Sequence, residues 1–254
     1  MGSPLGRGAS GARPLDGWRL MLILGISTST AQVGCAIGGH EGVLGSVHST
    51  RGRRHAETLT PAIEFLCRQT RVELAEISAI AVDLGPGMFT GLRVGVAAGK
   101  ALAYARRLPM IGVSSLDLVA FPLRHSPRRI VCALDAGRGE IYHATYRQSP
   151  GGVQRITAPI VASPEDLASD LSATTEEVLL AGDGVLRYQS MFSSLRRVEV
   201  ADAGEAYPLA GSLVQLAHAQ ALREEWVSPV ELTPLYLRKP DAEINWATRD
   251  GRSD

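Results

Sequence analysis

The sequence predicts an α/β protein of two related halves, and three observations predict it. Apolar runs of strand length, at 20–27, 77–84 and 130–135, each close on a turn. Segments with helical spacing follow or separate these runs, so crossover connections and a partly parallel sheet are expected. A strand–turn–strand shape also recurs: residues 24–37 overlay 132–145 at an offset of 108, which sets Ser27 opposite Asp135. Identity across the overlay is low, so the shape rather than the letters points to a duplication.

The first half opens with the buried strand 20–27. A polar turn at 28–31 leads to a second strand at 33–37. Gly38-Gly39-His40-Glu41-Gly42 turns that into a third at 43–48, giving an antiparallel meander. A helix follows within 55–69, where Leu59, Ala62, Ile63 and Leu66 fall at i, i+3, i+4 and i+7 on one apolar face. Pro61 is harmless if that helix begins near Thr60 and should bend it if it begins earlier. The strand 77–84 ends in the turn Gly85-Pro86-Gly87. A helix then covers 89–107 until Pro109 stops it, followed by a short strand at 110–113 and a helix near 115–123. The second half repeats the opening with strands at 130–135 and 141–146. A strand at 178–180 ends in Gly182-Asp183-Gly184, and a late helix spans 206–223.

Composition narrows the classes of function. Lys+Arg and Asp+Glu both number 26, so no global field draws the chain onto RNA or an anionic membrane. Arg51, Arg53 and Arg54 form a local basic run that reads as a solvated loop. Cys35, Cys67 and Cys132 are odd in number and far apart, which argues against a disulfide framework or a Cys-based zinc site and for a reducing compartment. No apolar run approaches the ~20 residues that span a bilayer. Residues 1–19 lack the apolar centre of a signal peptide and read as a disordered leader, and 239–254 read as a flexible polar tail.

Gly85-Pro86-Gly87-Met88-Phe89-Thr90-Gly91 lies between a strand and a helix, where a phosphate cradle would lie. Its spacing is one residue longer than the dinucleotide fingerprint, and it lacks the Lys-Ser/Thr ending of a P-loop. Gly91, Gly95, Gly99 and Ala103 instead place small residues every fourth position along one helix face. Each internal Gly costs a helix ~1 kcal/mol relative to Ala, so close packing must offset it. Packing against the chain's own sheet and contact with another subunit use such a groove equally well. The six histidines include no i, i+4 pair, and no Ser lies in a G-x-S-x-G turn, so neither a helical metal site nor a hydrolase elbow is indicated. Asp83, Asp135 and Asp183 each end a strand; they could hold a hydrated cation or a ribose, though turn chemistry beside Gly is the simpler reading.

With those residues in hand, the chain resembles the TsaB (YeaZ) family across about residues 21–238. Residues 80–95, Ile-Ala-Val-Asp-Leu-Gly-Pro-Gly-Met-Phe-Thr-Gly-Leu-Arg-Val-Gly, are similar to that family's G-P-G-S-F-T-G-L-R-I-G signature, with Met88 where Ser is usual. Arg54-His55-Ala56-Glu57 resembles its R-H-S-E, and Gly112-Val113-Ser114-Ser115-Leu116 its G-V-S-S-L. Leu134-Asp135-Ala136-Gly137-Arg138-Gly139-Glu140-Ile141-Tyr142 is similar to L-D-A-R-R-G-E-V-Y, and Tyr236-Leu237-Arg238 to its Y-L-R.

The resemblance implies an actin/Hsp70-like (ASKHA) fold of two lobes, each a mixed sheet flanked by helices. The lobes would span 20–113 and 114–238, with the helix at 206–223 packing back on the first. It implies a cytoplasmic, non-catalytic subunit that pairs with the catalytic paralogue TsaD. With the ATPase subunit TsaE, that complex forms threonylcarbamoyladenosine in tRNA. ATP and a metal would sit in the partner subunits, and tRNA would be met only through the complex. Family dimerisation helices would be 55–69 and 89–107, so the expected partner residues are His55, Leu59, Ala62, Ile63, Leu66, Gly91, Gly95 and Gly99. The same helices would support a homodimer in isolation. Asp135, Arg138 and Asp183 would line the interlobe cleft. Ser27-Thr28-Ser29 stands where the family's first strand usually ends in Asp-Thr-Ser, and no H-x-x-x-H metal pair is present. Both departures favour the accessory role over the alternative, an ATP-using small-molecule kinase or ATPase of the same fold.

Overall fold

The computed structural model describes residues 21–50 and 54–238. The expected leader at 1–19, the tail at 239–254, and Arg51 and Arg53 lie outside the described residues.

The first lobe is laid down as β1 (Leu22–Ser27), β2 (Val33–Gly39), β3 (Gly42–Ser49), α1 (His55–Thr70), β4 (Ile77–Asp83), α2 (Phe89–Arg106) and β5 (Met110–Val113). Its five strands order as β3-β2-β1-β4-β5. β1 is antiparallel to β2 and parallel to β4, because a short turn reverses the chain after β1 while α1 carries it across to β4. Both faces of β1 are covered, which explains its unbroken apolar run. Leu24 and Ile26 join the core beneath α1 and α2, whereas Ile23 faces Leu213, Val214 and Ala217 on the other side.

The second lobe repeats the plan. α3 (Ser115–Ala120) leads to β6 (Arg129–Gly137), β7 (Glu140–Ser149), β8 (Gly152–Arg155), β9 (Ile160–Ala162), α4 (Pro164–Ala173) and β10 (Val178–Ala181). Then come α5 (Asp183–Arg187), α6 (Gln189–Phe192), β11 (Val198–Val200) and α7 (Ala210–Ala221). The main path of this sheet is β11-β10-β6-β7-β8, with β9 added on β7. β6 again pairs antiparallel with β7 and parallel with β10. The offset between halves is 108 at the hairpins and 100 between Asp83 and Asp183, so one fixed offset cannot trace the repeat through.

The lobes exchange helices. α3 follows β5 yet buries Leu116, Val119 and Ala120 against Ile130, Cys132 and Tyr146 of the second sheet. α7 follows β11 yet packs on the first sheet. Two like sheets, each flanked by helices, make this an actin-like fold.

Several boundaries differ from the expected ones. α1 begins at His55, so Pro61 lies inside it; Pro61 is exposed, so its ring faces water rather than the core. The late helix is shorter than expected, opening at Ala210, just beyond Pro208. Periodicity did not reveal α4, although Ser163 caps it by accepting from Asp166 N and Pro164 occupies its first turn. Among the described residues no helix is long and apolar enough to cross a membrane.

Candidate functional site

The most constrained polar cluster lies where β1 and β4 end. Asp83 is 3% exposed and accepts four hydrogen bonds. Ser27 Oγ and Ser29 Oγ donate to Oδ2 at 2.8 and 2.5 Å. Ser115 Oγ and the Gly85 N–H donate to Oδ1 at 2.5 and 3.0 Å. Burial pushes the carboxyl pKa up, against the pull of the Ser115, Ser29, Gly85 and Ser27 hydrogen bonds. The cluster ties β1, the turn after β4 and the first residue of the exchanged helix α3 to one carboxylate.

The β1–β2 turn is sealed. Ser27, Thr28, Ser29 and Thr30 are at most 4% exposed. Thr28 Oγ1 donates to Gly91 O at 2.7 Å, Ser29 O accepts from Met88 N at 2.6 Å, and Thr30 O lies 2.8 Å from His55 Nε2. An actin-like fold implies ATP held between the lobes, and the end of β1 does not fit that group. Its hydroxyls and carbonyls are directed inward, and Ser27 offers no carboxylate for a metal-bound phosphate.

The glycine stripe makes this closure possible. A Cβ at Gly87 would stand 2.1 Å from Ser29 O, and one at Gly91 2.1 Å from Thr28 O. At Gly95 it would meet Thr28 Oγ1 at 2.2 Å, and at Gly99 Val82 Cγ1 at 2.5 Å. The stripe therefore faces the chain's own strands. This corrects the expectation that Gly91, Gly95 and Gly99 form a groove for a partner helix. The same holds on α1. His55, Leu59, Ile63 and Leu66 are buried against the first sheet, and Ala62 is half-buried at the margin of that face. The outward faces of α1 and α2 stay exposed. There Tyr104 is 78% and Phe65 46% exposed, and Arg93, Ala97, Ala101 and Tyr104 form one exposed stripe opposite the glycines.

In the second lobe Asp135 and Asp183, both expected at the cleft, come together. Asp183 Oδ1 accepts from Asp135 N at 3.0 Å, and Asp135 Oδ2 pairs with Arg187 at 2.8 Å. Burial first, then the Asp135 charge, push Asp183 up to about 6 against its backbone hydrogen bonds. Arg138 is exposed in the β6–β7 turn at φ +57°. Asp83 belongs to the other lobe's cluster. Among the described residues no group of three His, Cys, Asp or Glu side chains is placed to hold a metal ion.

Residues 225–238 then return across both lobes. Val227 and Met110 exchange two hydrogen bonds of 2.9 Å, and Leu232 is buried in the first core. Leu235 N donates to Leu84 O at 2.7 Å, Tyr236 packs on Phe89 at 5.3 Å, and Arg238 reaches Glu140 at 2.7 Å. The Tyr236-Leu237-Arg238 motif thus meets Phe89 of the glycine-rich signature and Glu140 of the second hairpin.

Twin mixed sheets, exchanged helices and a closed first-strand turn define a two-lobed actin-like protein. Residues 40–246 match the family described as TsaD: tRNA N6-adenosine threonylcarbamoyltransferase. The chain belongs to this family, in its TsaB (YeaZ) branch. It is 26% identical to the Escherichia coli tRNA threonylcarbamoyladenosine biosynthesis protein TsaB, over 91% of this chain and 100% of that protein. An uncharacterized Mycobacterium leprae protein is 34% identical over 88% of this chain, and the chain spans only 56% of that relative's length. The solved structure of YeaZ from Pseudomonas aeruginosa matches with a TM-score of 0.72 at 26% identity, covering 85% of this chain and all of that one.

Proposed function

We propose that the chain is a partner subunit, without catalysis of its own, in the complex that forms threonylcarbamoyladenosine in tRNA. The sealed β1–β2 turn carries this reading. The strand end that would face a nucleotide holds its own helix and the Asp83 cluster instead. ATP and a metal then belong to the partner subunits, the paralogue TsaD and the ATPase TsaE, and the setting is cytoplasmic.

The pairing surface in this reading is the outward layer of α1 and α2, centred on Phe65, Ala97, Ala101 and Tyr104. Small alanines let another helix approach closely, and tyrosine is among the side-chain types enriched at interface hot spots. Two copies of the chain would pair through the same layer when the paralogue is absent. Mass determination of the chain, mixed with the catalytic paralogue, tests this. A one-to-one complex is expected; two species that never associate would contradict it.

A further inference from the structure

The parallel strands of the second sheet begin on the side of the lobe away from Asp135 and Asp183. β7 returns to that same rim: Ile130 pairs with Tyr146, so Arg129 lies beside Arg147. Val178 aligns with both Arg129 and Val198, which brings Glu176, Glu177 and Arg197 to the rim as well. Arg124 and Arg128 enter on the segment leading into β6.

Charge is unbalanced there, although the whole chain is neutral. Glu176 alone serves two guanidiniums, Arg147 at 2.9 Å and Arg129 at 3.4 Å. Arg128 pairs with Glu199, and Arg197 with Glu177 at 3.5 Å. Arg124 instead lies over the Phe121 ring at 4.3 Å and donates to Phe121 O. Five guanidiniums therefore share three carboxylates, and Arg196 adds a sixth. Two adjoining pockets open on this rim, of about 490 Å³ beside Arg128, Arg129 and Arg147 and about 430 Å³ beside Arg124 and His125. Gln148 lines both.

We propose that this rim binds the phosphate backbone of RNA, the tRNA of the reaction to which the proposed function assigns the chain. Guanidinium forks suit phosphate oxygens, and partly exposed arginines exchange one carboxylate for a phosphate at little cost. An acidic protein would share the charge but would need an apolar anchor. The exposed large apolar side chains of the described residues lie elsewhere, none of them on this rim.

The test uses the full chain alone, with unmodified tRNA followed by fluorescence anisotropy across a salt series. Wild type is expected to bind weakly, with affinity falling as salt rises. Arg124→Glu combined with Arg147→Glu should cut affinity at least about tenfold and flatten the log–log salt slope by about 1–2. Glu176→Gln should raise affinity and keeps the test decisive if the double variant does not fold. No salt-dependent binding by wild type, an unchanged slope in the double variant, or tighter binding of polyglutamate than of tRNA would overturn the proposal. Pairing with the paralogue is read separately by pull-down, so its failure counts against the subunit reading and not against this one.

Discussion

Asp83 shows how one side chain can hold a turn, two strands and a crossover helix. Its three serine donors approach at 2.5–2.8 Å in a site closed to water. Asp83→Ala would leave all three hydroxyls buried without their acceptor. Breaking such a network costs about 3–5 kcal/mol, so a large drop in the denaturation midpoint is expected. Asp183 gives a different signature. Its folded pKa is raised to about 6, so the folded state holds a proton that the unfolded state releases from about 3.8 upward. That contribution is complete below about 4 and is lost as pH rises through 6. Asp183→Asn keeps a carbonyl to accept from Asp135 N and removes the titration. Stability measured from pH 4 to 6 should then fall less steeply than in the wild type.

The two outer helices of the first lobe are two-sided elements, and the sequence displays one side more clearly than the other. The Leu59, Ile63 and Leu66 stripe and the Gly91, Gly95 and Gly99 stripe were legible because helical periodicity reveals a face. Periodicity does not say what covers that face. The first stripe covers β2 and β3 and the glycine stripe covers β4 and the sequence-distant β1, a choice set by the folded sheet order, so the occupant of each face could not be read. Exposed Phe65 and Tyr104, off the apolar stripe, were the available signal for the opposite face. The element scale yields a paired prediction. Gly95→Leu forces atoms into Thr28 and should destabilise the fold by about 2–3 kcal/mol. Tyr104→Ala should leave the melting temperature within a few degrees of wild type yet weaken pairing with the catalytic paralogue at least about tenfold, as titration calorimetry would show. Equal pairing by Tyr104→Ala would move the interface elsewhere.

At the scale of the molecule, helix exchange makes the lobes depend on each other. The first sheet lacks one covering layer until α7, which begins 97 residues after β5 ends, closes it. The duplication was legible as a repeated hairpin, but the exchange was not, since nothing local tells a helix which sheet to cover. Leu213→Ala, at a fully buried position of α7, should cost about 2–5 kcal/mol. Probes in both lobes should still report one shared transition; separate transitions would contradict the coupling. Asp135 and Asp183 were legible as strand-end carboxylates and they do meet, whereas sealing of the β1–β2 turn depends on long-range contacts with α2. That sealing carries the proposed subunit role, and threonylcarbamoyl transfer to tRNA tests it most directly. With the ATPase subunit present throughout, the transfer rate is measured with this chain alone, the paralogue alone and both together. No transfer by this chain alone and a marked gain when it joins the paralogue are expected; robust transfer by the isolated chain would contradict the proposed subunit role.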